Sequence, residues 1–291
     1  MKKNSKGVVV HVGQYEFLKI NTGKREWRDS YHWILSLSWP QFAGLISGAY
    51  LALNLVFALL YELAPDSIAE MPRGSFSGAF FFSVQTLATV GYGHMYPTTL
   101  YGNILTTVEI MVGMFGLAVM TGLIFVRFSR PTARIEFTDK VVIAPFDGQP
   151  TLMLRVANLR HHSMAEAEFR IMFMRDEQIK EGDFIRRFYS LKLHFDRIIT
   201  FPVALTLRHT IDEVSPLYGM TAETLQKSDA RLVASVVGIE TVIQAAVQSQ
   251  KDYSWRDIVF GERFVEIYTE TGEGQLTVDY GRLHETEAAP L

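Results

Sequence analysis

The chain has 291 residues, 48% of them apolar and 20% charged, with a formal net charge of -3 and a mean hydropathy of +0.11. That charged share lies below the roughly 25% of ordinary soluble domains, so the composition excludes a disordered chain and strains a purely soluble one. Having no cysteine, it excludes disulfide scaffolds, thiolate metal sites and cysteine nucleophiles, while the acidic balance argues against nucleic acid.

Residues 1–38 are polar, with seven basic side chains against three acidic ones, a surplus of +4 and no signal-peptide pattern. Within them, Arg25 to Leu37 sets Trp27, Tyr31, Ile34 and Leu35 near one helical face and Arg28 near another. That suits a helix lying in a membrane interface. From Trp39 to Tyr61 there are 23 residues without a charge, where about 20 suffice to cross a bilayer. This is the first expected span, 39–61. A connector follows with Glu62, Asp66 and Glu70 against Arg73. Residues 76–88 then read as a short apolar helix that cannot cross. The second expected span is 100–126, whose only charged residue is Glu109. Arg127, Arg130 and Arg134 come after it. The positive-inside rule therefore puts both termini in the cytoplasm, with residues 39–134 forming the transmembrane domain.

Between the spans, the short helix runs directly into Thr89, Val90, Gly91, Tyr92 and Gly93. Non-helical backbone at membrane depth survives only where it is buried in protein or lines a watery path. To replace the water around a bare cation, successive carbonyls must point the same way. That requires backbone alternating in hand, and glycine at alternate positions supplies the left-handed members at little cost. Gly91 and Gly93 meet that demand, and the pentapeptide is the one that potassium-channel filters carry. The carbonyls of Thr89 to Tyr92, with the Thr89 hydroxyl, are the expected ion ligands. A single such segment cannot ring an axis, so four copies in cyclic symmetry are implied.

Beyond residue 135 the pattern shortens to strands, expected at Thr151–Val156, Ala165–Met174, Phe201–Leu207, Arg231–Val237 and Arg263–Tyr268. Turn residues such as Asp147-Gly148 and Thr271-Gly272-Glu273-Gly274 separate them. This part, residues 135–291, reads as an antiparallel sandwich with 17 basic and 24 acidic residues, a balance of -7. His161-His162, and His209 beside Asp212 and Glu213, lack metal-ligand spacing, and nothing reads as an enzyme's catalytic set.

The order of interfacial helix, span, pore helix with filter, span and β-rich tail resembles the inward-rectifier potassium channels, most closely their prokaryotic branch, KirBac. The pieces that carry the resemblance include Trp27-Arg28-Asp29, Ser38-Trp39-Pro40, Ala79-Phe80-Phe81-Phe82-Ser83-Val84, the filter, Gly113-Met114, Arg130-Pro131 and Ala157-Asn158. Further along are Ser215-Pro216-Leu217-Tyr218-Gly219 and Gly261 followed by Arg263-Phe264-Val265. The resemblance implies a two-span pore domain with a re-entrant pore helix and a cytoplasmic immunoglobulin-like β-sandwich. It implies a homotetramer in the inner cell membrane that passes K+ without a cofactor, gated by the tail and by anionic phospholipid or phosphoinositide. Polyamines, Mg2+ and Ba2+ are the expected blockers.

On the second span, with Leu117 at the centre of the pore-facing stripe, Glu109 and Phe125 fall to either flank, 16 residues and about 24 Å apart. By resemblance Phe125 is the constriction at the helix bundle, with Leu117 a second gate position on the stripe. Gly113 and Gly122 are expected as hinges, or as points of close helix approach. Glu109 is expected near the filter, behind it or at the cavity water. Arg28 and Arg130 match lipid-contacting positions. Strong rectifiers carry an acid where this chain has Leu117, so weak rectification is expected. Gln85 and Met95 stand where relatives carry a glutamate and an arginine, so both ends of that ion pair are absent. Ile239–Ala246 matches a loop that narrows the path in relatives. No span repeats arginine, which argues against voltage sensing. The competing reading is a membrane-anchored ligand-sensing module with little conduction.

Overall fold

The computed structural model describes residues 8–12, 15–19, 30–71, 74–271 and 275–290. Two compact units emerge: residues 23–130, and residues 131–291 together with 1–22. The N-terminal part holds a hairpin, β1 (Val8–Val12) against β2 (Tyr15–Lys19), with Val8 opposite Lys19. No strand was expected there.

In the helical unit, α1 (Ser30–Ser36) is a short helix inside the expected interfacial segment. After it, α2 (Trp39–Glu62) begins at a capping box: Gln41 N donates to Ser38 Oγ and Ser38 N to Gln41 Oε1, with Pro40 in the first turn. Past the strand β3 (Ile68–Ala69) comes α3 (Phe76–Leu87), started by Ser75, whose Oγ accepts from Gly78 N at 3.1 Å. The strand β4 (Tyr96–Pro97) pairs antiparallel with β3, and α4 (Leu100–Phe128) starts at Thr99, which caps Gly102 N at 3.1 Å. Both α2 and α4 are long and apolar enough to cross a membrane, and α4 extends two residues past the expected end.

The β3–β4 pair forms a neck around α3. Thr98 N donates to Ser67 O at 2.9 Å and Thr98 Oγ1 to Asp66 O at 3.1 Å. Glycine is required at 102, because a Cβ there would lie 2.6 Å from Ser67 O. Under the neck, Phe57, Tyr61, Phe82 and Leu87 pack together, with the Tyr61 and Phe82 rings edge to face at 5.0 Å.

The other unit is a sandwich. Its strands are β5 (Ile135–Phe137), β6 (Val141–Phe146), β7 (Gln149–Asn158), β8 (Met164–Gln178), β9 (Phe184–Leu191), β10 (Arg197–Phe201) and β11 (Ala204–Thr210). After the short helix α5 (Ala222–Lys227) come β12 (Arg231–Glu240), β13 (Ala245–Ser254) and β14 (Ile258–Phe260). β15 (Glu262–Phe264) pairs with β18 (Thr286–Ala288), and β16 (Tyr268–Thr271) with β17 (Gln275–Val278). One sheet runs β10-β8-β12-β13 with β9 also on β8, and the other β11-β7-β6-β14 with β5 on β7. Burial alternates along β8 and β12, as period-two strands facing one core demand. Phe169, Ile171 and Phe173 from one sheet meet Leu152, Leu154 and Val156 from the other. Asp147 and Gly148, both with positive φ (51° and 73°), make the two-residue β6–β7 turn.

Three tail expectations are corrected. Phe201–Leu207 is not one strand: β10 ends at Phe201 and β11 starts at Ala204, because Pro202 has no N–H for a ladder. Arg263–Tyr268 is also split, since β15 and β16 pair with different partners. The segment matched to a loop, Ile239–Ala246, is largely the end of a hairpin, with Ile239 opposite Ala246, Glu240 opposite Ala245 and a turn at 241–244. Residues 272–274 of the expected Gly-rich turn lie outside the described residues.

Candidate functional site

The segment after α3 is held by its own amides. Thr89 N donates to Thr86 O and Val90 N to Gln85 O, each at 2.9 Å, and Gly91 N to Gln85 O at 3.3 Å. These bonds fold the chain back over the last turn of the helix. Left-handed φ then recurs at Thr89 (57°), Gly91 (54°) and Gly93 (82°), while Val90 and Tyr92 between them lie outside that region. A chain alternating in this way turns successive carbonyls to one side. Among the described residues, none of the carbonyls from 89 to 92 accepts a hydrogen bond. Thr89 is the member that glycine spacing did not anticipate, and its conformation costs a β-branched residue about 1–2 kcal/mol.

Behind this segment is a polar cluster. Glu109 on α4 is fully buried. Its Oε2 accepts from Tyr61 Oη on α2 at 2.7 Å, and its Oε1 accepts from Ser83 Oγ on α3. Ser83 Oγ also reaches Asn54 Oδ1 at 3.1 Å, Asn54 Nδ2 donates to Tyr50 O at 2.8 Å, and Tyr61 Oη meets Thr106 Oγ1 at 3.1 Å. One carboxyl therefore ties three helices at a depth where an unpaired polar group is costly. Sequence spacing located Glu109 alone. A polar residue in each apolar helix was the only sign of its partners.

Gln85 and Met95 line one cavity of about 280 Å³ with Thr86, Thr89, Thr106 and Ile110. The two departures are thus brought together in space. Further along α4, a Cβ on Gly113 would collide with the Leu87 carbonyl, so α3 and α4 touch there. Around Gly122 there is open space, and α4 continues unbroken through both glycines. Leu117 and Phe125 are exposed on α4, 57% and 70%.

At the end of α4, two arginines strap α1. Arg127 Nη2 donates to Leu37 O at 2.8 Å and Nη1 to Ile34 O at 3.3 Å, its guanidinium lying 4.6 Å from the Trp39 and Phe42 ring centres. Arg130 Nη1 donates to Leu35 O at 3.2 Å. These are the orphan carbonyls at the end of a helix, where cations are favoured. Arg127, which the sequence offered only as a topology signal, makes the more extensive contact. Arg28 lies outside the described residues.

Comparison with known proteins decides the family. Residues 135–291 match the inward rectifier potassium channel C-terminal domain, and residues 46–130 match an ion channel family. The inward rectifier potassium channel Kirbac3.1 of Paramagnetospirillum magnetotacticum is 41% identical over 274 residues, covering 94% of this chain and 93% of that protein. The chain belongs to the inward rectifier potassium channel family. Human G protein-activated inward rectifier potassium channel 1 is 31% identical over 226 residues, 74% of this chain and 45% of that protein. The Caenorhabditis elegans channel irk-1 is 26% identical over 286 residues, 89% of this chain and 52% of that protein. The protein is accordingly a membrane potassium channel of the prokaryotic inward-rectifier type and not an enzyme, with K+ as the transported ion. Its two long apolar helices are the family's spans.

Proposed function

We propose that four copies of this inward rectifier surround one axis and pass dehydrated K+ between the carbonyls of Thr89, Val90, Gly91 and Tyr92. The observation that carries this reading is the recurrence of left-handed φ at 89, 91 and 93 beside carbonyls that accept no bond among the described residues. In such a ring the α3 C-termini point partial negative charge toward the axis. The domains are read as a cytoplasmic N-terminus to residue 38, a pore domain over 39–134 with α3 as pore helix, and a cytoplasmic domain over 135–291. Phe125 is the bundle constriction, which closes by dewetting, and Leu117 lines the path above it. Gly113 serves close helix approach, whereas Gly122, with open space around it, is the hinge.

Both termini face the cytoplasm, as the flanking arginines favour. Anionic phospholipid or phosphoinositide gates the channel through Arg28 and Arg130, each basic group beside an acidic leaflet gaining about 1 kcal/mol. With Leu117 in place of an acid, block by polyamine or Mg2+ is weak, and Leu117→Asp steepens block by cytoplasmic spermine. The test is rubidium uptake into proteoliposomes, with and without phosphoinositide. Uptake blocked by Ba2+ and lowered at least a hundredfold by Gly91→Ala supports conduction through this segment. Silence across lipid compositions, or a monomer in native lipid, overturns it in favour of a membrane-anchored sensor.

A further inference from the structure

His94 follows the last glycine of the filter segment, and since Gly93 has no side chain, His94 carries the first one after Tyr92. Its backbone is held from both sides. Gly93 has φ 82°, and β4 begins two residues past His94, where Tyr96 pairs with Ala69. The next residue, Met95, turns inward, packing on the cluster of Phe57, Tyr61, Phe82 and Leu87 and lining the cavity behind the filter segment. His94 does not follow it. It is exposed, is no part of that cavity's lining, and its imidazole makes no hydrogen bond or ion pair among the described residues.

Within one chain, no three histidine or carboxylate side chains gather to hold a metal ion among the described residues, so a single copy offers one ligand here. Four copies change that. For the carbonyls of residues 89–92 to replace an ion's water, the copies must converge on one axis, and that convergence brings four His94 residues around its outer end. Neutral imidazole suits Zn2+, Ni2+ and Cu2+, whereas Mg2+ and Ca2+ take carboxylates, carbonyls and water. Symmetry then selects among the first three. A fourfold axis sets four nitrogens at the corners of a square, the arrangement of Ni2+ and Cu2+ and not the tetrahedron of Zn2+. The connector between the spans adds Glu62, Asp66 and Glu70 against Arg73, a balance that draws cations to the same mouth.

We propose that four His94 imidazoles form a square site for Ni2+ or Cu2+ at the outer mouth of the pore, and that the bound ion blocks K+ passage. This rests on the four-copy reading above. The full-length protein, purified without a histidine tag, is the sample. Titration calorimetry in detergent should show one Ni2+ per four chains, bound at least tenfold more tightly than Zn2+. His94→Gln, at an exposed position, should abolish that binding. Cu2+ on the wild type should give an electron paramagnetic resonance spectrum split by four equivalent nitrogens. In proteoliposomes with Ni2+ on both faces, rubidium uptake should stop, and His94→Gln should raise the half-blocking concentration at least tenfold, each protein scored against its own uptake without metal. One Ni2+ per chain, fewer than four equivalent nitrogens, or wild-type binding by His94→Gln overturns the site. Uptake that Ba2+ stops but saturating Ni2+ leaves unchanged overturns this proposal alone. No uptake in any lipid overturns the conduction reading and the block with it, while calorimetry and the Cu2+ spectrum still decide the metal site.

Discussion

The two units are built inside out with respect to each other. Along α4 the buried residues are Gly102 and Glu109, whereas Ile104, Met111, Phe115 and Val119 are exposed. The sandwich reverses this, enclosing Leu152, Leu154, Phe169, Phe173 and Leu232. The difference teaches which interactions give each unit its specificity. In water, removing apolar surface from solvent drives packing. Against lipid an apolar side chain gains little by turning inward, so close approach at Gly113 and bonds around Glu109 hold the helices in register.

The most damaging substitution is expected in the sandwich. Phe173→Ala, at a side chain with no exposed surface, removes a core aromatic at a cost of about 3–5 kcal/mol. Denaturant unfolding of the full chain, followed by a probe in the β unit, reads it; a loss below about 1 kcal/mol breaks the contrast. Next comes Glu109→Ala, which leaves the Tyr61 and Ser83 hydroxyls only Thr106 and Asn54 as partners and removes two of the bonds that tie α4 to the other helices, at about 0.5–1.5 kcal/mol for each bond lost. Glu109→Gln stays near wild type, because a carboxamide accepts from Tyr61 and donates to Ser83, whose own proton then goes to Asn54. Thermal midpoints in micelles should rank wild type and Gln together above Ala, and a tie between Gln and Ala refutes the cluster's role.

His209 offers a pH test confined to the β unit. It is buried, with Nδ1 at 2.8 Å from Lys192 O and Nε2 at 2.8 Å from Ser215 Oγ, and burial pushes its imidazole pKa below the ordinary value. The unfolded chain therefore takes up a proton first as pH falls. Stability is full above about pH 6.5 and is lost below it toward the folded-state value, by up to roughly 1.4 kcal/mol per pH unit. His209→Gln should flatten this slope in melting curves recorded from pH 7.5 to 5. Smallest of all, Val56→Ala on the 51% exposed face of α2 should shift stability by no more than about 0.5 kcal/mol in micelles. A larger loss would mean that this face packs on protein.

What the sequence disclosed was whatever repeats or punctuates. Uncharged runs marked α2 and α4, alternate glycines marked the segment after α3, and Asp147-Gly148 marked a turn that the structure has. Contacts between distant residues left no such periodic trace. Ser83 reads as part of an apolar helix until Asn54 and Glu109 are brought beside it, 29 and 26 residues away in the chain. Arg127 reads as one more basic flank until α1 turns its last carbonyls toward it. Pro202 carries a legible signal, the missing N–H, but the apolar run around it masks the break between β10 and β11. The β1–β2 hairpin has a signal of its own, the β-branched run Val8-Val9-Val10 and the alternating Tyr15 and Phe17, but each strand is only five residues long and lies in a polar, basic segment.

The neck formed by Ile68 opposite Pro97 and Ala69 opposite Tyr96 has a consequence for engineering. By clipping the chain on both sides of α3, it fixes where the intervening stretch enters and leaves, while Ser83 and Leu87 dock its helix on α4. A foreign loop of altered preference, grafted after Leu87 and before Tyr96, inherits its exit from Ser67, Thr98 and Gly102 and leaves the docking of α3 on the long helices untouched.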